Sequence, residues 1–220
     1  MNYAKLSDVR RLADELKGYD RIDVLANNAG GLLNDRRITE DGFEVTFQVN
    51  MLAGFLLTRL LHHKLAESGA TVIQTSSTAA NSFGKEYDGK DLNTENGYSA
   101  TKAYGNAKLE CILFTRELER RWGSEGIHSV AFEPGVVRTN FAVQAPLMLR
   151  AVYHTPLKYF MTTPVEKSAG RLTRLAVGVP GADFEPGMAY SDQDRFIVWC
   201  EDHIDVWGRD LWEQCEGILV

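Results

Sequence analysis

Arg21-Ile22-Asp23-Val24-Leu25-Ala26-Asn27-Asn28-Ala29-Gly30-Gly31 decides the fold. A short apolar run breaks off at asparagine and glycine, the pattern of a buried strand followed by a loop. The pattern recurs. Ala70-Thr71-Val72-Ile73-Gln74-Thr75 stops at Ser76-Ser77, and Ile127-His128-Ser129-Val130-Ala131-Phe132 stops at Glu133-Pro134-Gly135. Helical segments separate these runs. Residues 6–17 put Leu6, Val9, Leu12, Ala13 and Leu16 on one face, and Thr39 opens a long helix running through Asn50 to about Leu65. Residues 81–97 are polar and glycine-punctuated and predict a loop; a helix follows to about Trp122, and another opens at Pro164. Residues 187–190 predict a last strand and residues 207–219 a terminal helix. This rhythm predicts an α/β fold, a doubly wound parallel sheet with right-handed crossovers, in one domain over residues 1–220.

Composition narrows the function. Hydrophobic content of 44% and charged content of 25% suit an ordinary soluble globule. The net charge of -6 argues against nucleic acid, which wants a basic stripe. No apolar run reaches the length of a membrane span, and Met1-Asn2-Tyr3-Ala4-Lys5 is followed by no apolar signal core, so the expected location is cytoplasmic. Cys111, Cys200 and Cys215 form no C-x-x-C pair, and His62-His63 point apart on a helix, so neither a disulfide framework nor a metal site is expected.

Chemistry concentrates in Gly97-Tyr98-Ser99-Ala100-Thr101-Lys102-Ala103-Tyr104-Gly105-Asn106-Ala107-Lys108, which holds two overlapping Tyr-x-x-x-Lys pairs. Residues four apart share a helix face, so each pair sets a phenol beside an ammonium. A phenol alone, with a pKa of about 10, is a poor acid or base at neutral pH, and a fixed cation beside it favours the phenolate. Such a pair can pass a proton to or from a carbonyl or hydroxyl oxygen. Tyr98 and Tyr104 point about 120° apart on one helix, so one pair at most serves a given site. The apolar stripe of Ala103, Ala107, Cys111, Phe114 and Leu118 flanks both pairs and does not choose between them.

Taken together and in order, these features resemble a classical short-chain dehydrogenase/reductase. Asn27-Asn28-Ala29-Gly30 is similar to the family's Asn-Asn-Ala-Gly turn. Asn50, in Val49-Asn50-Met51-Leu52-Ala53-Gly54-Phe55, is similar to its helix asparagine. Ser76-Ser77 resembles its serine strand end, and Pro134-Gly135-Val136-Val137-Arg138-Thr139 its Pro-Gly segment. The helix Lys102-Ala103-Tyr104-Gly105-Asn106-Ala107-Lys108-Leu109, followed by Leu113-Phe114-Thr115-Arg116-Glu117-Leu118, resembles that of the retinol dehydrogenase/WW-domain oxidoreductase branch. That register selects Tyr104 and Lys108 and leaves Tyr98 and Lys102 in the loop or first turn.

The resemblance implies a Rossmann-like fold and an NADP- or NAD-dependent oxidoreductase, with NADP preferred from the branch. Tyr104 would be the acid/base. Lys108 would lower its pKa and bond the nicotinamide ribose. Ser77, favoured over Ser76, would hold the substrate oxygen, and Asn50 a water in a proton relay. Asn28, Ala29 and Gly30 would lie along the cofactor, and Pro134, Gly135 and Thr139 against the nicotinamide. Residues 140–163, with Phe141, Leu147, Met148, Leu149, Val152, Tyr153, Tyr159, Phe160 and Met161, would form a lid over a hydrophobic alcohol, aldehyde or ketone.

One family feature is missing. The chain has no Thr-Gly-x-x-x-Gly-x-Gly turn, which holds the pyrophosphate at a helix N-terminus. Met1–Arg10 resembles the end of the third family strand and the helix after it. The expected fold is therefore N-terminally truncated, with the apolar faces of residues 21–26 and 70–75 and an unpaired edge exposed. A dinucleotide is expected to bind weakly or not at all. Two other readings stand beside the enzyme: a non-catalytic, dimerising or regulatory remnant, using the long helices that form dimer faces in this family, and a sugar-nucleotide epimerase or dehydratase. The latter usually lack Asn-Asn-Ala-Gly.

Overall fold

The computed structural model describes residues 1–135, 137 and 162–219. Among them five strands form one sheet, ordered as they occur in the chain: β1 (Val24–Asn27), β2 (Thr71–Thr75), β3 (His128–Glu133), β4 (Ala189–Ser191) and β5 (Asp194–Arg195). The first four run parallel. The short β5, which the sequence did not foretell, turns back antiparallel to β4 through Asp192 at φ +60.

Parallel neighbours need crossovers, and helices supply them. Between β1 and β2 run α2 (Val45–Phe47), a π-helical turn (Gln48–Leu52), α3 (Ala53–Leu60) and α4 (His62–Ser68). Between β2 and β3 run α5 (Ala79–Ser82) and the long α6 (Ala100–Trp122); α7 (Val165–Val177) precedes β4, α1 (Leu6–Lys17) precedes β1, and α8 (Ile204–Ile218) ends the fold. Alternation along the strands divides the core into two layers. Leu25, Val72 and Ala131 pack with α1, α3, α6 and α8, while Ile73, Val130 and Phe132 pack with Leu175 of α7 on the other side. Helices thus cover both faces, the doubly wound arrangement.

Two expectations change. The helix read from Thr39 begins instead at Val45, because residues 38–44 form a tight hairpin: Thr39 N–H donates to Phe43 O, Gly42 sits at φ +89, and Ile38 bridges Glu44. Glu44 then caps the helix, accepting from Phe47 N–H at 2.9 Å. The strand β2 is no edge, because β1 and β3 pair along both its sides; of residues 21–26 and 70–75, the former alone contribute a border strand, β1, with Ala26 exposed. Separately, α8 packs against α6 and α3. Trp212 packs within 5.0 Å of Phe55, 5.1 Å of Trp122 and 5.7 Å of Phe114, measured between ring centroids. Gly208 allows the crossing: a Cβ there would come within 3.0 Å of the Leu113 carbonyl.

Candidate active site

Ligands of open parallel sheets bind beyond the carboxyl ends of the strands. There the loops after β1, β2 and β3 converge on a cavity of about 610 Å³ lined by Asn28 and Gly30, Ser76 and Ser77, and Pro134 and Gly135. The long helix α6 closes its floor with Tyr104 and Lys108. Ser99 sets where that helix starts, its side chain accepting from Lys102 N–H at 3.1 Å.

Both α6 side chains are buried, Tyr104 to 7% exposure and Lys108 to 3%. The ammonium lies 5.5 Å from the Tyr104 ring centroid and donates to the Thr75 carbonyl at 2.9 Å. Burial pushes the Lys108 pKa down, since a buried ammonium loses its hydration. The two serines differ in their tasks. Ser76 Oγ donates to the Lys108 carbonyl at 2.7 Å and ties β2 to α6. Ser77 is half-buried at the cavity wall, where its Oγ accepts from Ala79 N–H at 3.2 Å.

Asn50 sits in the π-helical turn, a widened geometry frequent at functional sites. Its Oδ1 accepts from Gly31 N–H, and its Nδ2 donates to the carbonyls of Gly31 and Thr46, each at 2.9 Å. The amide is thereby committed to holding the loop after β1 against the helix. Gly30 makes the approach possible: a Cβ there would collide with Asn50 Oδ1 and lie 3.2 Å from Lys108 Nζ. Asn28 Oδ1 accepts from Thr75 Oγ at 2.9 Å, tying the first two strand ends together. Ala29 is exposed in the same loop and does not line the cavity.

The other Tyr/Lys pair lies away from the cavity. Lys102 Nζ donates to the Asn96 carbonyl at 2.9 Å, and Arg36 covers the Tyr98 ring at 5.9 Å. Thr139 and residues 140–161 of the expected lid lie outside the described residues. Three groups escaped the sequence reading. Val165, Ser168, Ala169 and Leu172 of α7 form a wall, and Leu32, Phe83 and Phe132 make the cavity largely apolar. Glu133 and Arg171 meet beside the Pro134–Gly135 turn. The one available signal for Glu133 was an acid ending an apolar strand.

A family model described as enoyl-(acyl carrier protein) reductase matches residues 1–169. The chain belongs to the short-chain dehydrogenase/reductase family, in its retinol dehydrogenase-like branch. It is 40% identical over 198 residues to a protein of Streptomyces sp. (strain C5) named as a daunorubicin C-13 ketoreductase, covering 87% of this chain and 63% of that protein. It is 39% identical over 169 residues to Mus musculus retinol dehydrogenase 14, covering 76% of this chain and 50% of the relative. The chain therefore spans about half to two thirds of the length of these relatives. Among solved structures, a Mycobacterium paratuberculosis protein matches 99% of this chain and 73% of its own, with a TM-score of 0.66 and 27% identity. The NADPH-bound carbonyl reductase from chicken fatty liver shares the fold at a TM-score of 0.62 and 22% identity, over 90% of this chain and 75% of that one. No helix among the described residues is long and apolar enough to cross a membrane.

Proposed function

We propose that the chain carries the catalytic site of an NADP- or NAD-dependent oxidoreductase that interconverts a hydrophobic alcohol and its aldehyde or ketone. The observation carrying this reading is the pairing of Tyr104 with the buried Lys108 ammonium on the floor of an apolar cavity at the strand ends.

The residues fit a nicotinamide at one end only. Gly30, where a side chain would strike Asn50, and Gly135, at φ +85, leave backbone-lined walls on two sides of the cavity. Asn28, Gly30, Pro134 and Gly135 would hold the nicotinamide there, with Lys108 toward its ribose and Ala29 further along the same loop. The chain contains no glycine-rich turn for the pyrophosphate, so a dinucleotide would bind weakly. A bound nicotinamide supplies the hydride chemistry.

The rest falls to the chain's own side chains. Tyr104 Oη would hand a proton to the substrate oxygen in reduction and take it back in oxidation. The nearby Lys108 favours the phenolate; in turn, a phenolate would relieve the cost of burying that ammonium. Ser77 Oγ, at the wall, would hold the substrate oxygen, while Ser76 keeps Lys108 in place. Asn50 would set the loop that faces Lys108. The apolar wall of Leu32, Phe83, Phe132 and Leu172 would select a hydrophobic substrate.

The test is turnover of apolar aldehydes at high NADPH. Tyr104→Phe should remove at least about a hundredfold of the rate, the usual scale of acid/base catalysis, and Tyr98→Phe should leave most of it. A Tyr104→Phe protein at the wild-type rate would sink the assignment.

A further inference from the structure

We propose that Glu133 is a positioning residue for the Pro134–Gly135 turn, fixing the cavity wall through a carboxylate clasp that Arg171 and Ser191 hold in place. Its use in nicotinamide binding rests on the function proposed above.

The need for a clasp follows from where the ladders end. Phe132 O still accepts from Ser76 N–H, and Glu133 is the last residue of β3 paired with β4, opposite Ser191. Beyond it the chain leaves the sheet at Gly135, φ +85. The Gly135 N–H has run past its strand partners, and Glu133 meets it two residues back. Its Oε1 accepts from Gly135 N–H at 2.6 Å. A bond to an ionised acceptor is shorter and stronger than a neutral one, so this one holds the turn firmly.

The carboxylate is itself held. Glu133 is 4% exposed, and a buried charge needs partners. Ser191 Oγ donates to Oε2 at 3.1 Å from the neighbouring strand. Arg171 of α7 brings Nη1 to 3.6 Å from Oε2 and donates from the same nitrogen to the Glu133 carbonyl at 3.1 Å. Arg171 is anchored in turn by Asp192, at 3.6 Å, which also pairs with Lys167 at 3.2 Å. On its other side the turn abuts Thr163: any Cβ at Gly135 would collide with Thr163 Oγ and come within 3.4 Å of Arg171 Nη1. Arg171 thus links the Pro134–Gly135 wall to the α7 wall formed by Ser168 and Leu172. One charge cluster sets the width of the cavity on that side.

Residue-resolved amide exchange of Gly135 in the 220-residue protein decides the clasp without any ligand. Glu133→Ala should speed Gly135 exchange at least about tenfold, the scale of losing one hydrogen bond to a charged group. Glu133→Gln, which keeps an acceptor at Oε1, should restore most of the protection, and Ser191→Ala, which removes one of the bonds holding the carboxylate, should speed the exchange but less than Glu133→Ala does. Exchange of the β2 amides controls for general loosening and should stay at the wild-type rate in all three. Unchanged Gly135 exchange in Glu133→Ala, or equal acceleration of Gly135 and β2, overturns the inference. Reduced nicotinamide mononucleotide, titrated into the same proteins, tests what the clasp serves. Weaker binding to Glu133→Ala with rescue by Glu133→Gln supports positioning, and equal binding by wild type and Glu133→Ala overturns it. Wild-type protein that binds no nicotinamide at all would defeat the functional reading, while the exchange result would still decide the clasp.

Discussion

Glu110 makes the stability of this fold depend on pH. It lies on α6 at 1% exposure, and neither carboxylate oxygen has a hydrogen-bond partner among the described residues. Glu44, fully buried, faces it, with one oxygen capping α2 and the other unpartnered. The other titratable groups that feel Glu110 are Tyr87, Cys111 and Cys215, none of which brings a positive charge. Burial first, and then the Glu44 charge, push the Glu110 carboxyl from its ordinary 4.5 up to about 8. The folded state therefore holds this proton more tightly than the unfolded chain. Stability from the neutral carboxyl is fully present below pH 4.5, drains as pH rises through the window, and is gone above about pH 8. Each pH unit of that window is worth about 1.4 kcal/mol, which sets a ceiling of roughly 5 kcal/mol for the whole shift. The assay is urea unfolding of wild type and Glu110→Gln at intervals from pH 5 to pH 9. The amide cannot ionise, so the variant should gain on the wild type steadily with pH, by several kcal/mol at pH 9. Parallel stability curves for the two proteins across that range would refute the reasoning.

Packing yields further expectations. Trp212→Ala, which empties the centre of the Phe55, Phe114 and Trp122 cluster, should cost about 3–5 kcal/mol in urea unfolding and free α8 from α6. Gly105→Ala would drive a Cβ to 2.7 Å from the Gly84 nitrogen and the Phe83 backbone; overpacking of this kind costs about 1–3 kcal/mol and should appear as a lower Tm. Lys102→Met should release the Asn96 carbonyl and loosen the loop before α6, visible as faster amide exchange at 96–98, with nicotinamide binding unchanged.

The strand ends were legible because each couples an apolar run to an abrupt Asn, Ser or Pro-Gly break, a signal carried by adjacent residues. The family's helix pattern brought out Tyr104 and Lys108, and the structure puts both on the cavity. What escaped was written in long-range bonds. The π-turn at Asn50 depends on Gly31, nineteen residues away, so local periodicity read an ordinary helix. The helix start at Val45 depends on a hairpin that Thr39 and Gly42 suggested only as a helix opening. The clasp joins Glu133 to Arg171, 38 residues on, and α7 read only as an amphipathic helix. The cover that α8 lays over α6 rests on Trp212, whose ring partners lie in two other helices, α3 and α6, and are visible only once folded.

The central claim is that Tyr104 and Lys108 form a nicotinamide site lacking a pyrophosphate cradle. NADPH titrated into the 220-residue protein and its Lys108→Met variant, followed by fluorescence, tests it most directly. The account predicts weak binding, in the millimolar range, that Lys108→Met removes. Micromolar binding, or binding of any strength that Lys108→Met leaves intact, would contradict it.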